Sequence, residues 1–139
     1  VSFSEPSSRL TDAGVETMLR AAIAAASDMG QPQCIVIVDA SGVELSTFRM
    51  SGSRFLSLKS ALSKAKTAAS INGPSASLPD HAKVLLGLAT EGDVTGLRGG
   101  LPIRLNGHLV GGIGVGSGSG EQDEAVALAA LKAIGADLP

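Results

Sequence analysis

The sequence has no tryptophan and no tyrosine, and three phenylalanines bring its aromatic content to only 2% of 139 residues. With a formal net charge of -2, the chain has little with which to neutralise phosphates or stack bases, so nucleic acid is excluded as a partner. A single cysteine, Cys34, rules out an internal disulfide and, inside an apolar run, reads as a buried thiol. The two histidines, His81 and His108, lack companions at ligand spacing and make no case for a bound metal ion. No apolar stretch approaches the roughly 18 residues needed to span a bilayer, and VSFSEPSSRL has no signal-peptide core. The expectation is a soluble, cytoplasmic protein without membrane contact.

Catalytic signatures are missing too. There is no HExxH, no paired CxxC and no G-x-S-x-G. The tract Gly116 to Gly120 admits neither G-x-G-x-x-G nor a Gly-Lys pair. Glu121, Asp123 and Glu124 follow it, where they complement a helix dipole and would repel an anion.

At 44% hydrophobic and 17% charged residues the chain is globular. Its length predicts one domain over residues 11–139 behind a flexible N-terminal arm, residues 1–10. A core of Ala, Val, Leu and Ile in so small a chain is thin, which predicts a homo-oligomer.

Periodicity supplies the elements. Thr11 caps a helix with Val15, Met18, Leu19, Ala22, Ile23, Ala26 and Met29 on one face, ended by Gly30 and Pro32. Cys34 to Val38 and Val43 to Met50 form a hairpin about Asp39-Ala-Ser-Gly42. A helix from Arg54 to Ile71 buries Leu58, Ala61, Leu62, Ala65, Ala68 and Ala69. Beside that face runs a stripe of Ser57, Ser60, Lys64 and Thr67, with Lys59, Ser63 and Lys66 outward. Asn72-Gly73-Pro74 stops it. Ser77 caps a short helix from Pro79 to Leu88, and a brief strand near Val94 is expected in the loop that follows. Leu101, Ile103 and Leu105 alternate up to Asn106-Gly107, a type I′ turn with His108 as an exposed neighbour. On the return strand Leu109, Ile113 and Val115 point one way, while Gly112, Gly114 and Gly116 leave the other face bare. Such a face either admits a helix unusually closely or floors a hollow. Ser119 and Gln122 fit a capping box for a last helix, Glu121 to Ile134, burying Ala125, Leu128, Ala129, Leu131 and the Lys132 stem. Antiparallel hairpins with helices on both sides predict an α+β layered domain.

Charged groups then fall at element ends around bare glycine backbone: Arg49, Lys64, Asp39, Glu121 and Asp123. Two cations with flanking carboxylates and free N–H groups suit a small carboxylate or a propionate-bearing ligand. The same pattern also arises on an ordinary charged surface.

The segments CIVIVDASGVELSTFRMSG, KAKTAAS and GGLPIRLNGHLVGGIGVGSGSGEQDEAVA resemble, in order and spacing, the GlcG/HbpS-like family, which includes haem-binding proteins and the C-terminal domain of PduO corrinoid adenosyltransferases. The resemblance runs from Leu10 nearly to the end. It implies a profilin-like domain with a five-stranded antiparallel sheet flanked by helices, assembling as dimers or larger oligomers. It implies also that Arg49, Lys64, Gly99, Gly100 and Asp123 line a pocket. Some members bind haem through a histidine of the first helix, which this chain lacks, leaving Thr67, His81 or another group as ligand.

Two functions follow as expectations. One is a small-molecule-binding protein, with haem or another tetrapyrrole as cofactor, held by Arg49, Lys64, Thr67, His81, Gly99, Gly100, Gly112 and Gly114. The other is a cofactor-independent isomerase, lyase, hydratase or cyclase acting on a small carboxylate. There Asp123 or Glu121 would be the base, and Lys64 or Arg49 would stabilise developing charge. A third reading is an interaction module with a filled core and no pocket.

Overall fold

A computed structural model describes residues 1–139. Four α-helices enclose one antiparallel sheet. The chain runs α1 (Asp12–Asp28), β1 (Cys34–Asp39), β2 (Glu44–Arg49), α2 (Leu56–Ile71), a 3-10 turn (Ser75–Ser77), α3 (Asp80–Ala89), β3 (Gly100–Leu105), β4 (His108–Gly116) and α4 (Gly120–Ala133). Strand order is β2-β1-β4-β3, so the sheet has four strands where five were expected. The segment around Val94 forms no strand. Side chains take its backbone groups instead: Val94 N–H donates to Thr90 Oγ1 and Thr95 N–H to Thr67 Oγ1.

Local chemistry sets the boundaries. Thr11 Oγ1 accepts from Gly14 N–H and opens α1. Asn72, in the left-handed region, closes α2. Asn106 and Gly107 both have positive φ, as a type I′ turn requires. Ser119 and Gln122 complete a reciprocal capping box at α4. Ser77 does not cap α3; its hydroxyl donates to the Pro74 carbonyl, and Pro79 stands at the cap position without a side-chain bond.

The two faces of the sheet are filled differently. Ile35, Ile37, Leu101, Ile103, Ile113 and Val115 pack against Met18, Ala22 and Ala26 of α1 and Val126, Ala127, Ala130 and Leu131 of α4. On the other face Cys34, Val36 and Val38 meet the alanines of α2, Ala61, Ala65 and Ala69, with Leu58 and Leu62 packed at the edge. There Gly112 and Gly114 bring β4 so close to α2 that a methyl at either would overlap the carbonyl oxygen of Ala65 or Ala61. The bare strand face is helix packing, not an open hollow.

Three inward faces differ from expectation. A bulge between Ile103 and Arg104 shifts the register, so that Val110, not Leu109, enters the core. On α4 the buried set is Asp123, Val126, Ala127, Ala130 and Leu131, leaving Ala125 and Lys132 outside. Ser63 is buried because the 90–97 loop folds over it, and its hydroxyl donates to the Gly92 carbonyl. Lys66 and Lys59 both reach Asp93 in that loop, at 3.3 and 2.7 Å. Lys59 first, then Lys66, hold the Asp93 carboxyl below its ordinary value of 3.8. No helix is long and apolar enough to cross a membrane.

Candidate functional site

Lys64 sits on the sheet-facing side of α2 with 4% of its surface exposed. A charge so deeply buried must be paired. Its ammonium donates to Asp123 Oδ2 at 2.9 Å and to the Val115 carbonyl at 2.8 Å. Asp123, in the first turn of α4, accepts the Gly118 N–H on its other oxygen at 2.9 Å. One ion pair thereby joins α2, the end of β4 and the start of α4.

Glycines make this possible. Gly99, at φ +126°, passes so close that a Cβ would lie 2.8 Å from Asp123 Cβ and 3.1 Å from Lys64 Nζ. Gly100 lies against the Lys64 carbonyl, and its N–H donates to Ser75 Oγ, which itself donates to the Leu97 carbonyl. Ser117 is held at φ +100°, a region a side chain rarely occupies. Its hydroxyl donates to Ser57 Oγ at 2.7 Å and accepts the Arg54 N–H at 2.9 Å.

Over the pair opens a cleft of about 240 Å³, walled by Arg54, Leu56, Ser60, Leu97 and Arg98. Arg98 is clamped to Glu124 by two bonds of 3.1 and 3.2 Å, which raises its affinity for its proton. Small-molecule sites usually enclose about 300–1,000 Å³. This cleft is small, and two of its cations, Lys64 and Arg98, already have partners, while the Arg54 guanidinium has none.

The structure thus brings together Lys64, Asp123, Gly99 and Gly100 of the expected site. It leaves the others apart. Thr67 is buried one turn along α2, its hydroxyl donating to the Ser63 carbonyl and accepting from Thr95 N–H, with no open space before it. Arg49 is exposed on the edge strand, in the row Arg49–Cys34–Gly116, two strand spacings or roughly 10 Å from Gly116. Asp39 stands at the opposite end of β1 and is spent on its own turn, accepting from Ser41 and Val43 N–H. Glu121 is exposed, and it acts on Arg98 only through space. His81 is exposed in the first turn of α3. Gly112 and Gly114 are covered by α2.

A second hollow went unseen in the sequence. At the other end of the sheet a groove of about 960 Å³ lies between residues 7–10, the start of α1, the β1–β2 turn and the β3–β4 hairpin. His108 lines it, with Arg9 and the apolar side chains of Leu10, Leu45, Leu109 and Val110. Thr11 and Asp12 place the positive end of α1 on the same groove. No local motif announces it, because its walls come from four separated segments. The one available signal was a histidine directly after a type I′ turn.

The profile of the family described as haem degrading protein HbpS-like matches residues 10–132. Among curated proteins, the corrinoid adenosyltransferase PduO of Citrobacter freundii is 33% identical over 135 residues, covering 94% of this chain and 40% of that protein. The chain therefore spans well under half of that relative. Among solved structures, a PduOC complex with haem superposes with a TM-score of 0.87 at 31% identity, covering 94% of this chain and 98% of that one. HbpS of Streptomyces reticuli, in a double-mutant form, gives 0.83 at 34% identity, covering 93% and 89%. Both the order of its segments and the fold they make place this chain in the HbpS-like family, to which it belongs.

Proposed function

We propose that this protein binds haem or a related tetrapyrrole in the groove at the start of α1, with His108 as the iron ligand. The observation that carries the reading is the composition of that groove: a histidine, an arginine, a helix N-terminus and an apolar wall around about 960 Å³. Each part suits one part of the ligand. Leu10, Leu45 and Leu109 offer apolar area to a flat ring. Arg9 and the N–H groups opening α1 offer positive charge to propionates. Asp39 and Asp12 also line the groove, so Arg9 and the helix N-terminus act there against two carboxylates, one of which is held to its own turn through Oδ1. The similarity to a haem-complexed PduOC domain supports the ligand class. A bound haem would supply an iron centre whose reactivity depends on its axial ligand and on the polarity around it.

The buried Lys64–Asp123 pair has a different part in this proposal. Both of its charges are bonded inward, and its cleft is far smaller than the groove. It fastens α2 and α4 to the sheet. The proton-transfer reading would need those same groups to be free.

Haem titration followed by absorption tests the proposal. The wild-type chain is expected to give a shifted Soret band that saturates, His108→Ala to lose it, and His81→Ala to keep it. A wild-type chain with no shifted band ends the tetrapyrrole reading. Loss with His81→Ala but not with His108→Ala overturns the groove.

A further inference from the structure

The cleft over the Lys64–Asp123 pair offers hydrogens and little to receive them. Its one carboxylate is spent on both sides, Asp123 Oδ2 on the Lys64 ammonium and Oδ1 on the Gly118 N–H. Its donors are not all used. An ammonium carries three hydrogens, and Lys64 gives one to Asp123 and one to the Val115 carbonyl. The third is left over, on a buried side chain that lines the cleft. Ser57, also buried, receives the Ser117 hydroxyl and keeps its own hydrogen unspent. Ser60 lines the cleft one turn along from Ser57 and bonds to no protein group.

Arg54 adds a full charge. Its N–H donates to Ser117 Oγ, which fixes the residue at the head of α2, while its guanidinium is exposed and unpaired. Arg98, the other arginine of the cleft, is already clamped to Glu124. The acids at the start of α4 therefore repel an anion less than their number implies, since Lys64 neutralises Asp123 and Arg98 neutralises Glu124. Glu121 alone is left to oppose Arg54 and the positive end of the helix.

The walls narrow the kind of anion. Leu56 and Leu97 flank the cleft, where they serve a short carbon chain and give nothing to a bare phosphate. A volume of about 240 Å³ limits the occupant to a small molecule. We infer that this cleft binds a small carboxylic acid. Its carboxylate pairs with the planar fork of Arg54, its chain lies between Leu56 and Leu97, and a hydroxyl or carbonyl oxygen at its other end takes the unspent hydrogens of Ser57 and Lys64. The Lys64–Asp123 pair stays intact throughout, so binding releases no charge and moves no proton. No residue of this cleft lines the groove proposed for haem, and the two sites are tested separately.

Titration of ¹⁵N-labelled protein with lactate, 3-hydroxybutyrate and 4-hydroxybutyrate at constant ionic strength tests the inference. These acids carry their hydroxyl at increasing distance from the carboxylate. At least one is expected to shift the amide signals of Ser57, Ser60, Gly118 and Gly120 saturably, and its uncharged amide to shift none of them. Arg54→Gln, at an exposed position, should leave the far-ultraviolet spectrum unchanged and weaken binding at least about tenfold. Ser60→Ala should weaken it about two- to tenfold, and Arg49→Gln, on the edge strand, should leave it as it is. The absence of a saturable shift with all three acids overturns the inference. So does binding that survives Arg54→Gln, or inorganic phosphate that binds as tightly as the best of the acids.

Discussion

The face of the sheet under α1 and α4 is built from isoleucine, valine and leucine against methionine, leucine and alanine, whereas the face under α2 is built from glycine against alanine. The first is held by apolar volume and the second by closeness of approach. Burial of large side chains contributes about 1.5–3 kcal/mol each, and several serve the α1/α4 face. The α2 face has few large side chains, those of β1 and the partly buried Leu58 and Leu62, so much of its strength lies in dispersion at short range and in the Lys64–Asp123 pair at its end. A layer held by volume tolerates the loss of a methyl. A layer held by closeness does not tolerate the gain of one.

Three substitutions test that contrast, in falling order of expected effect. Gly114→Ala places a methyl on the Ala61 carbonyl oxygen, backbone against backbone, with no flexible side chain to yield. A loss of about 4 kcal/mol or more in urea unfolding, or no folded protein, is expected; a loss under about 1 kcal/mol would break the contrast. Next comes the pair that closes this layer. Lys64→Met leaves Asp123 buried without its cation and should cost about 3–5 kcal/mol, and adding Asp123→Leu should recover most of it, because two apolar groups leave no charge stranded. A double variant no more stable than the single one would mean that the pair holds the layer by more than charge balance. The smallest change falls on the opposite face. Ile113→Val, one residue from Gly114, removes a single buried methylene and should cost about 1 kcal/mol.

Much of this was readable from short stretches. Asn106-Gly107 and the Ser119/Gln122 capping box depend on neighbours within a few residues, and both form as the local chemistry demands. Lys64 was placed at the edge of a buried face and Gly99, Gly100 and Asp123 near it, and the four do converge. The misses have separate causes. A bulge set by pairing with β3 put Val110 into the core in place of Leu109. Ser63 looked outward because the 90–97 loop that covers it lies some thirty residues on. The fifth strand failed because side chains, not a neighbouring strand, satisfy the segment near Val94. For helix α3 the sequence reading gave only the bounds and an exposed His81, and the structure leaves Val84, Leu85 and Leu88 exposed as well. Arg49 and Asp39 belonged to the site only so long as the ends of β1 were not distinguished.

The lone cysteine has a consequence of another kind. Cys34 is fully buried beneath the layer that glycine holds shut, its thiol within 3.5 Å of Ser53 Oγ. Opening that layer exposes it, while movement of the N-terminal groove or of α3 does not. The molecule therefore carries its own clock: the rate at which a thiol reagent consumes Cys34 measures how often α2 lifts from the sheet, in an otherwise unmodified chain.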